Sequence, residues 1–345
     1  MVDFNEISAS FRRSPKRWLV TGVAGFIGSH LLEALLENGQ TVVGLDNFST
    51  GHRANLEDVT SRLDPAAAAR FEFIEGDIRD PALCQAAVAG ADVVLHQAAL
   101  GSVPRSVEAP LDAHANNVTG FLNVLAAARD AGVKRFVYAS SSSVYGSDDS
   151  AVKIEPRLGT PLSPYAVTKL TDELYARVFR EVYGFESVGL RYFNVFGPRQ
   201  DPNGAYAAVI PRWTERLLRG EECAVFGDPL KSRDFCFVRN VVECNLLAAA
   251  APAAAIADGV FNVACGARTT LAELFDLIKS HASKYRPAAQ NALLRQEPAR
   301  AGDISHSLAD IERARRCLGY RPEHDVARGL ENAVAWYAER NQLRA

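Results

Sequence analysis

The sequence lacks a long uninterrupted run of apolar residues, and this absence bears on its relation to membranes. Nowhere in the 345 residues is there a stretch approaching the roughly 20 apolar residues that a membrane-spanning helix needs. The Ala-rich stretch AAAAPAAAIA (248–257) is interrupted by Pro252 and is too short. The N-terminal segment MVDFNEISASFRRSPKR has no apolar core of the kind found in secretory signals. We therefore expect a soluble cytoplasmic protein without a membrane partner.

Cysteine is scarce, and the chain has no excess of positive charge. The six cysteines form no C-x-x-C pair and no Cys/His set with zinc-site spacing, which predicts free thiols in a reducing compartment and no metal site. Lys and Arg number 38 against 41 Asp and Glu, and they are scattered along the chain. A nucleic-acid partner is therefore not expected, because such proteins carry a basic patch. A hydrophobic content of 48% is that of a globular protein.

What the chain does contain is a regular alternation of strand-like and helix-like segments. Short apolar runs rich in β-branched residues alternate with amphipathic stretches, which predicts a parallel sheet covered by helices on both faces. The fold class is therefore α/β, a doubly wound Rossmann-type sheet. Predicted helices cover 29–39, 116–131 and 165–183, and the predicted strands are RWLVTG (17–22), TVVGLD (41–46), FEFIEGD (71–77), DVVLHQA (92–98), KRFVYAS (134–140) and SVGLRYF (187–193).

After Asn194 the composition changes, and this predicts a second, smaller lobe. The segment FGPRQDPNGAYAAVIPRW (196–213) is rich in Pro and Gly, 212–219 has a helical pattern, and ECAVFG (222–227) resembles a strand. The tail from 270 is mostly helical in pattern. RDFCFVRNVVECNLLAAA and GVFNVA are expected to return to the sheet. We predict a nucleotide-binding domain of 14–193 plus about 236–266, and a smaller α/β substrate-binding lobe of 194–235 plus 267–345.

The first eighty residues contain a candidate dinucleotide site. In LVTGVAGFIGSH, Gly22, Gly25 and Gly28 stand between a strand and a helix, where glycines permit close approach of a pyrophosphate to the helix N-terminus. Asp46 ends the second strand and can bind both ribose hydroxyls of an adenosine. Since its carboxylate would repel a 2′-phosphate, NAD is favoured over NADP despite the nearby Arg53. Asp77 is placed to accept from the adenine amino group, or to cap the next turn.

The heptapeptide SPYAVTK (163–169) predicts a catalytic pair at the start of a helix. Ser163 suits the helix N-cap, and Tyr165 and Lys169 then share one face at i and i+4. A cation beside the phenol favours the phenolate, so Tyr165 becomes a candidate base. A serine cluster, SSSS, follows the strand KRFVYAS at the edge where ligands bind in this fold. The alternatives are a half-buried tyrosine with a solvated lysine, and a loop of serines that caps itself.

Taken together, TGxxGFIGSH, the serine cluster, Y-x-x-x-K and RYFNVFGPRQDP resemble the extended short-chain dehydrogenase/reductase family over residues 17 to 340. Within it the chain is most similar to UDP-hexose 4-epimerases of the branch acting on N-acetylhexosamines. The resemblance implies tightly held NAD and no net redox change: Tyr165 takes the proton from the sugar O4, C4 gives a hydride to NAD, and the hydride returns to the other face of the 4-keto sugar. It also implies a homodimer through paired helices, 116–131 and 165–183, and a role in supplying sugar nucleotides for surface polysaccharide.

The resemblance also carries family roles to individual positions of this sequence. The catalytic residues would be Ser141, Tyr165 and Lys169. The cofactor would contact Gly22, Gly25, Phe26, Ile27, Gly28, Asp46, Asn47, Ser49, Gly51, Asp77, Ile78, Gln97, Ala98, Ala99, Asn116, Tyr165, Lys169 and Tyr192. The UDP-sugar would contact Gly101, Ser102, Ser141, Ser142, Tyr165, Asn194, Ala208, Val209, Phe226, Arg233, Arg300, Asp303 and Ser307.

Small residues at three of these positions bear on the choice of sugar. Gly101 and Ala208 replace a lysine and an asparagine that are usual in the glucose/galactose branch, and Ser307 stands where an aromatic residue would leave no room beside C2. Ser142 could bind the acetamide. We therefore predict UDP-N-acetylglucosamine 4-epimerisation, although Ser307 could also serve only as the N-cap of a helix in SLADIERARRCLG.

Four other functions are considered for the same scaffold. A sugar-nucleotide dehydratase needs an acid pair beside the catalytic serine, whereas Ser140, Ser142 and Ser143 stand there. A UDP-glucose epimerase remains open, and so does an enzyme acting on a UDP-uronic acid, which would need a cation near C6 such as Arg105. A non-catalytic NAD-sensing protein would not need Tyr165 and Lys169 intact.

Overall fold

The chain folds around a seven-stranded, all-parallel sheet. The computed structural model describes residues 4–203, 207–299 and 307–343. From edge to edge the order of the central sheet is β11-β6-β5-β4-β1-β2-β3, and three two-stranded sheets pair β10 with β7, β12 with β9 and β13 with β8. The strands are β1 Arg17–Thr21, β2 Thr41–Asp46, β3 Phe71–Glu75, β4 Val93–His96, β5 Arg135–Ser141, β6 Ser187–Tyr192, β7 Val195–Phe196, β8 Cys223–Phe226, β9 Ser232–Arg233, β10 Cys236–Phe237, β11 Val260–Val263, β12 Thr269–Thr270 and β13 Leu294–Glu297.

The strand order confirms the doubly wound Rossmann-type fold. From β1 the chain goes outward through β2 and β3, then returns to β4 on the other side of β1. Trp18, Leu19 and Val20 of β1 are fully buried, as expected for a central strand covered on both faces. The reversal between β1 and β4 opens a crevice at the carboxyl ends of the strands, which is where ligands bind in such sheets.

Helices cover both faces of the sheet and build most of the second lobe. The turn Ala115–Thr119 is π-helical, and short 3₁₀ turns occur at Ser142–Tyr145, Ala253–Ile256 and Pro287–Asn291. The α-helices are α1 Phe4–Arg13, α2 Phe26–Glu37, α3 Arg53–Arg62, α4 Pro65–Ala68, α5 Pro81–Val88, α6 Val103–Glu108, α7 Pro110–His114, α8 Gly120–Asp130, α9 Pro164–Tyr183, α10 Val209–Leu218, α11 Val238–Ala250, α12 Leu271–Ser283, α13 Glu312–Leu318 and α14 Val326–Arg340.

Most predicted elements are present, and one segment differs from its prediction. GVFNVA provides β11 at the sheet edge, but RDFCFVRNVVECNLLAAA forms helix α11 after the two-residue strand β10. Every residue of α11 from Asn240 to Ala249 is buried. A helix that is enclosed on all sides shows no amphipathic period, so its sequence resembles that of a buried strand.

Among the described residues, the buried apolar side chains form three clusters. Two lie on the faces of the central sheet, around Val20 and Leu190 and around Phe121 and Phe136. The third includes Trp213 and joins α10, α12 and α14, the helices of the smaller lobe. Two segments that the predicted division leaves out of the nucleotide-binding domain pack with the sheet. They are α1, through Ile7 and Phe11, and residues 309–320. The domain division itself stays a prediction.

Two further expectations concern cysteines and membranes. All six cysteines are free thiols, and Cys84, Cys223, Cys236 and Cys244 are buried. Among the described residues, no group of His, Cys, Asp or Glu has the arrangement of a metal site. Within the same residues, every helix is too short or too polar to span a bilayer.

Candidate active site

A cavity of about 390 Å³ occupies the crevice between β1 and β4. It is lined by the first βα turn, the ends of β2 and β5, the loop after β4 and the first turns of α9. Except for Gly51 and Asp77, every predicted cofactor residue lines it: Gly22, Gly25, Phe26, Ile27, Gly28, Asp46, Asn47, Ser49, Ile78, Gln97, Ala98, Ala99, Asn116, Tyr165, Lys169 and Tyr192.

The glycine-rich turn has the shape that a dinucleotide requires. Gly22 has φ +68°, and a Cβ added there would lie 2.7 Å from the backbone nitrogen of Ala98. A Cβ on Gly28 would lie 2.0 Å from the carbonyl oxygen of Gly22. Helix α2 begins at Phe26, three residues earlier than predicted, and Gly25 at its N-cap has no side chain to satisfy the first N–H groups. Phe26, Ile27 and Gly28, the first residues of this helix, line the cavity, and the N–H groups of a helix N-terminus suit a pyrophosphate.

Asp46 lies at the end of β2, where the adenosine ribose is expected. Its carboxylate oxygens accept hydrogen bonds from the backbone N–H groups of Ala24 (2.9 Å) and Phe48 (2.8 Å). Burial raises the pKa of Asp46, and the backbone hydrogen bonds oppose that shift. The Arg53 guanidinium carbon lies 4.6 Å from the ring centroid of Phe48, and one of its nitrogens is 3.0 Å from a carboxylate oxygen of Glu75. With that guanidinium engaged elsewhere, the site favours NAD over a 2′-phosphorylated dinucleotide.

Gly51 and Asp77 lie just behind the residues that line the cavity. A Cβ on Gly51 would lie 2.8 Å from the carbonyl carbon of Ala24, so this glycine lets the loop after β2 pack on the glycine-rich turn. Asp77 accepts three hydrogen bonds from Arg79, two of them from its guanidinium and one from its backbone N–H, and a fourth from Asn47. The side-chain hydrogen bonds from Arg79 lower the pKa of Asp77 to about 2. Asp77 therefore fixes Asn47, and its own contact with an adenine stays a prediction.

Ser141, Tyr165 and Lys169 come together at the cavity, as predicted from their order in the chain. Ser141 ends β5, and its Oγ accepts from the N–H of Ser143 at 3.2 Å. The Oγ of Ser163 caps α9 by accepting from the N–H of Ala166 at 3.1 Å, with Pro164 in the first turn. Tyr165 is half-buried and Lys169 is buried, so the alternative of a solvated lysine is wrong.

The partners of Lys169 add a residue that is absent from the predicted site. The Nζ of Lys169 donates to the carbonyl oxygen of Ala139 at 3.0 Å and to Oδ2 of Asp172 at 3.2 Å. Asp172 is one helical turn further along α9 and has no exposed surface. In the sequence, this contact could have been predicted from the i+3 spacing of Lys169 and Asp172 in KLTDE.

An asparagine that sequence patterns do not single out fixes the wall between β4 and α9. Asn117 accepts from the N–H of Leu100 at 2.7 Å, and its amide donates to Oγ1 of Thr168 at 3.1 Å. It lies in the π-helical turn, next to Asn116 at the cavity. Such turns often occur at functional sites.

On the cavity floor the Tyr192 hydroxyl contacts Oε1 of Gln97 at 3.1 Å, and burial raises the pKa of this phenol.

A second cavity of about 330 Å³ adjoins the first and shares Ser141 and Tyr165 with it. Of the predicted substrate residues, Ser102, Ser142 and Ser307 also line it, whereas Gly101 lines the first cavity. Ser102 has φ +101°, a strained conformation for a residue with a side chain. The other lining residues were not predicted: Val103, Ser143, Tyr145, Gly146, Asp148 and Lys153.

The backbone around Ser307 is held by strand β9 and by the segment around Lys153, and not by a helix. Its N–H donates to the carbonyl oxygen of Ser232 at 3.2 Å, and the next residue, Leu308, accepts from the N–H of Lys153 at 2.8 Å. Helix α13 begins only at Glu312, so the alternative in which Ser307 is a helix N-cap is wrong.

The remaining substrate predictions lie in the smaller lobe. The side chain of Asn194, at φ +31°, donates to the Asp234 carbonyl oxygen at 3.0 Å. Ala208 is the N-cap of α10, and Phe226 and Arg233 end β8 and β9. Among the described residues, none of these lines either cavity, and the same holds for Val209. Arg300 and Asp303 lie outside the described residues.

The comparisons with known proteins agree with this geometry. The glycine-rich turn, the acid ending β2 and the Ser, Tyr and Lys at one cavity define a dinucleotide-dependent enzyme of the extended short-chain dehydrogenase/reductase type. Residues 18–264 match the model of the NAD dependent epimerase/dehydratase family, and the chain belongs to that family. Its cofactor is NAD.

Similar proteins cover nearly the whole chain. A UDP-glucose 4-epimerase of Mycolicibacterium smegmatis is 37% identical over 94% of this chain and 100% of its own length. The UDP-N-acetylglucosamine 4-epimerase of Methanobrevibacter ruminantium, solved in complex with UDP-N-acetylmuramic acid, is 36% identical with a TM-score of 0.85, covering 94% and 99%. The UDP-glucose 4-epimerase of Thermus thermophilus, solved with NAD, is 33% identical with a TM-score of 0.80, covering 93% and 98%.

Proposed function

We propose that the protein is a UDP-sugar 4-epimerase that interconverts UDP-N-acetylglucosamine and UDP-N-acetylgalactosamine. The observation that carries this proposal is the second cavity, which opens from Ser141 and Tyr165 and is bounded by Ser102, Ser142 and Ser307. An acetamido group has three more heavy atoms than a hydroxyl and needs this room while the sugar turns. The relatives that are named as UDP-glucose and UDP-N-acetylglucosamine 4-epimerases support the reaction type.

The side chains at the junction of the cavities have matching roles in such a reaction. Ser141 already accepts a hydrogen bond from the N–H of Ser143, so its own proton is available to a sugar oxygen. Tyr165 removes the proton from the O4 hydroxyl and returns it at the end of the cycle. The ammonium of Lys169 stabilises the phenolate form. When bound, NAD supplies the reversible oxidation at C4.

The charges of the second cavity support a neutral sugar over a uronate. Among the described residues that line it, Lys153 is the cation, but its Nζ is 3.3 Å from Oδ2 of Asp148 and donates to the carbonyl oxygen of the same residue. Asp148 also contacts Arg157 at 3.3 Å. A carboxylate at C6 would therefore meet Asp148 as well as Lys153. Arg105, the cation considered from the sequence, lines neither cavity among the described residues.

One experiment separates the substrate alternatives. Purified protein is incubated with UDP-N-acetylglucosamine, UDP-glucose and UDP-glucuronate, and the products are identified by NMR. We expect UDP-N-acetylgalactosamine to form fastest and UDP-galactose more slowly. Faster conversion of UDP-glucuronate would replace the proposed substrate, and absence of turnover with all three would favour a non-catalytic NAD-binding protein.

The protein is expected to retain NAD through purification and to need no added cofactor. Because each cycle restores the cofactor, activity does not require exchange. Denatured protein should release about one NAD per chain, measured by chromatography. In Gly28→Ala the new methyl overlaps the Gly22 carbonyl, so this variant should carry almost none. Gly132→Ala is the control for general backbone strain: its φ of +70° is unfavourable for alanine, but nothing lies within 4 Å of its added carbon and it does not line the cavity. Equal NAD contents in the two variants would contradict the assigned turn.

We also propose that the protein is a homodimer. Helix α9 exposes Val167, Leu174, Val178 and Val182, whose spacings of seven, four and four residues place them on one helix face. A second copy can cover this face with the same residues, since interfaces with two-fold symmetry are self-complementary.

A further inference from the structure

Asp172 stands behind the candidate catalytic lysine in a position that the reaction, as described, does not use. Its side chain has no exposed surface, and Oδ2 lies 3.2 Å from Nζ of Lys169. Within the part of the chain that the structure describes, Oδ1 has no hydrogen-bond partner. Burying a carboxylate with half of its hydrogen-bonding capacity unused is costly, so its placement calls for a role.

The contacts of Lys169 indicate that role. An ammonium has three N–H donors. One is directed to the Ala139 carbonyl oxygen at the end of β5 and a second to Asp172, which leaves the third for the cavity that Lys169 lines. The carboxylate lies behind the ammonium along α9, so it both fixes the direction of the third N–H and offsets part of the charge.

We propose that Asp172 is a positioning residue that holds the Lys169 ammonium at the cavity wall and moderates the charge that Tyr165 experiences, so that its ionisation tunes the pH dependence of proton transfer. The proposal rests on Tyr165 serving as the base in the proposed 4-epimerase reaction. No direct contact between Asp172 and a substrate is invoked.

Burial, adjusted by the charged neighbours on α9, places the pKa of Asp172 near neutral pH. Burial is the largest influence and raises the pKa of Asp172 to about 7; Lys169 opposes the shift and Glu173 adds to it. Glu173 is in turn bound to Arg191 of β6 at 2.7 Å. Asp172 is therefore neutral at low pH, when the full charge of Lys169 acts on the site, and becomes a carboxylate as the pH rises through about 7.

Besides Arg191 of β6, the strands β5 and β4 contribute two titratable groups that stay neutral over the same range. Burial raises the pKa of Tyr138 on β5 well above its usual value, and Glu173 and Asp172 add to that shift. Burial lowers the pKa of His96 on β4 to about 3, and Lys169 adds to that shift. From α8, Phe121 packs on Tyr138 with ring centroids 5.2 Å apart and carries no charge. Neither Tyr138 nor His96 changes charge near pH 7.

The test is a titration of the Tyr165 phenol that does not depend on turnover. NAD-loaded protein is titrated between pH 5 and 10, and phenolate absorbance is read as the difference from a Tyr165→Phe sample. The Asp172→Asn variant keeps the shape of the side chain and an oxygen for Lys169 but carries no charge. We expect its midpoint to move to lower pH by about one unit, because Lys169 is no longer offset.

The same variant should move the acid limb of the kcat/KM profile in the same direction, while KM for the UDP-sugar changes little. Asp130→Asn is the matched control: it removes an exposed aspartate paired with Arg129 at the surface and should leave both curves unchanged. If Asp172→Asn does not fold, Asp172→Ser removes the same charge with a smaller side chain. Parental titration midpoints in the folded variant, or activity reduced equally at every pH, would overturn the proposal. A shifted midpoint in protein that turns over no UDP-sugar would support it and contradict only the proposed function.

Discussion

The Tyr165→Phe variant is expected to lose about 10²- to 10⁴-fold in kcat while binding UDP-sugar nearly as well as the parent protein. The phenol oxygen removes and returns a proton in the reaction, so its loss acts mainly in the transition state. The ring remains, and the backbone N–H of residue 165 still donates to Oγ of Ser106, at 3.0 Å in the parent, so the start of α9 should not move. Initial rates and calorimetric binding of UDP separate the two effects.

Two further variants make this result specific to Tyr165. Tyr183→Phe, at the exposed end of the same helix, removes the same atom away from the cavity and should keep the parental rate. Ser141→Ala should cost less than Tyr165→Phe, since it removes one positioning hydrogen bond and not the base. A Tyr165→Phe enzyme with near-parental kcat would show that another group moves the proton.

The parts of the fold that sequence reasoning predicts correctly have a strong local cause. Strands such as Arg17–Thr21 and Thr41–Asp46 are short apolar runs that end at turns, and the Ser-Pro sequence before Tyr165 places the start of α9 within one residue of the predicted position 165. Helix α11 was not predicted because it is buried on all sides and has no polar face to reveal its period. Helix α1 packs Phe11 edge-on to Trp18 with ring centroids 5.3 Å apart, a tertiary contact that its polar sequence does not suggest.

The residues of the candidate site also divide into those that the sequence could predict and those that it could not. Glycines and the Tyr-Lys pair could be predicted because their backbone or spacing requirements are written locally in the chain. Asn117 and Asp172 could not, because their importance depends on which strand or helix lies beside them: Asn117 joins Leu100 to Thr168, and Asp172 meets the ammonium that Ala139 also holds. Spacing in the sequence identifies residues that can contact each other. The partner of each polar group is determined only by how the folded elements pack.

We predict that the choice of sugar depends on the size of residue 307, because the hydrogen bonds around this position hold its backbone in place. The N–H of Ser307 donates to the carbonyl oxygen of Ser232, and the carbonyl oxygen of the next residue, Leu308, accepts from the N–H of Lys153. These two hydrogen bonds fix the backbone between two segments of the chain. A larger side chain therefore cannot be accommodated by moving the chain away. It must extend into the second cavity, which Ser307 lines together with Ser142 and Tyr165.

The Ser307→Tyr variant is therefore expected to lose turnover of UDP-N-acetylglucosamine by about 100-fold or more, since even one methylene in a closed pocket can change rates by about 10- to 200-fold. UDP-glucose has only a hydroxyl at C2 and should still be epimerised at a rate close to that of the parent. Ser307→Ala is the size-matched control: it removes the hydroxyl but keeps the space, so it should retain activity on the acetylated sugar. The measurement is kcat/KM for both substrates in all three proteins. If Ser307→Tyr converted UDP-N-acetylglucosamine at the parental rate, the cavity beside Ser307 would not be where the acetamide lies.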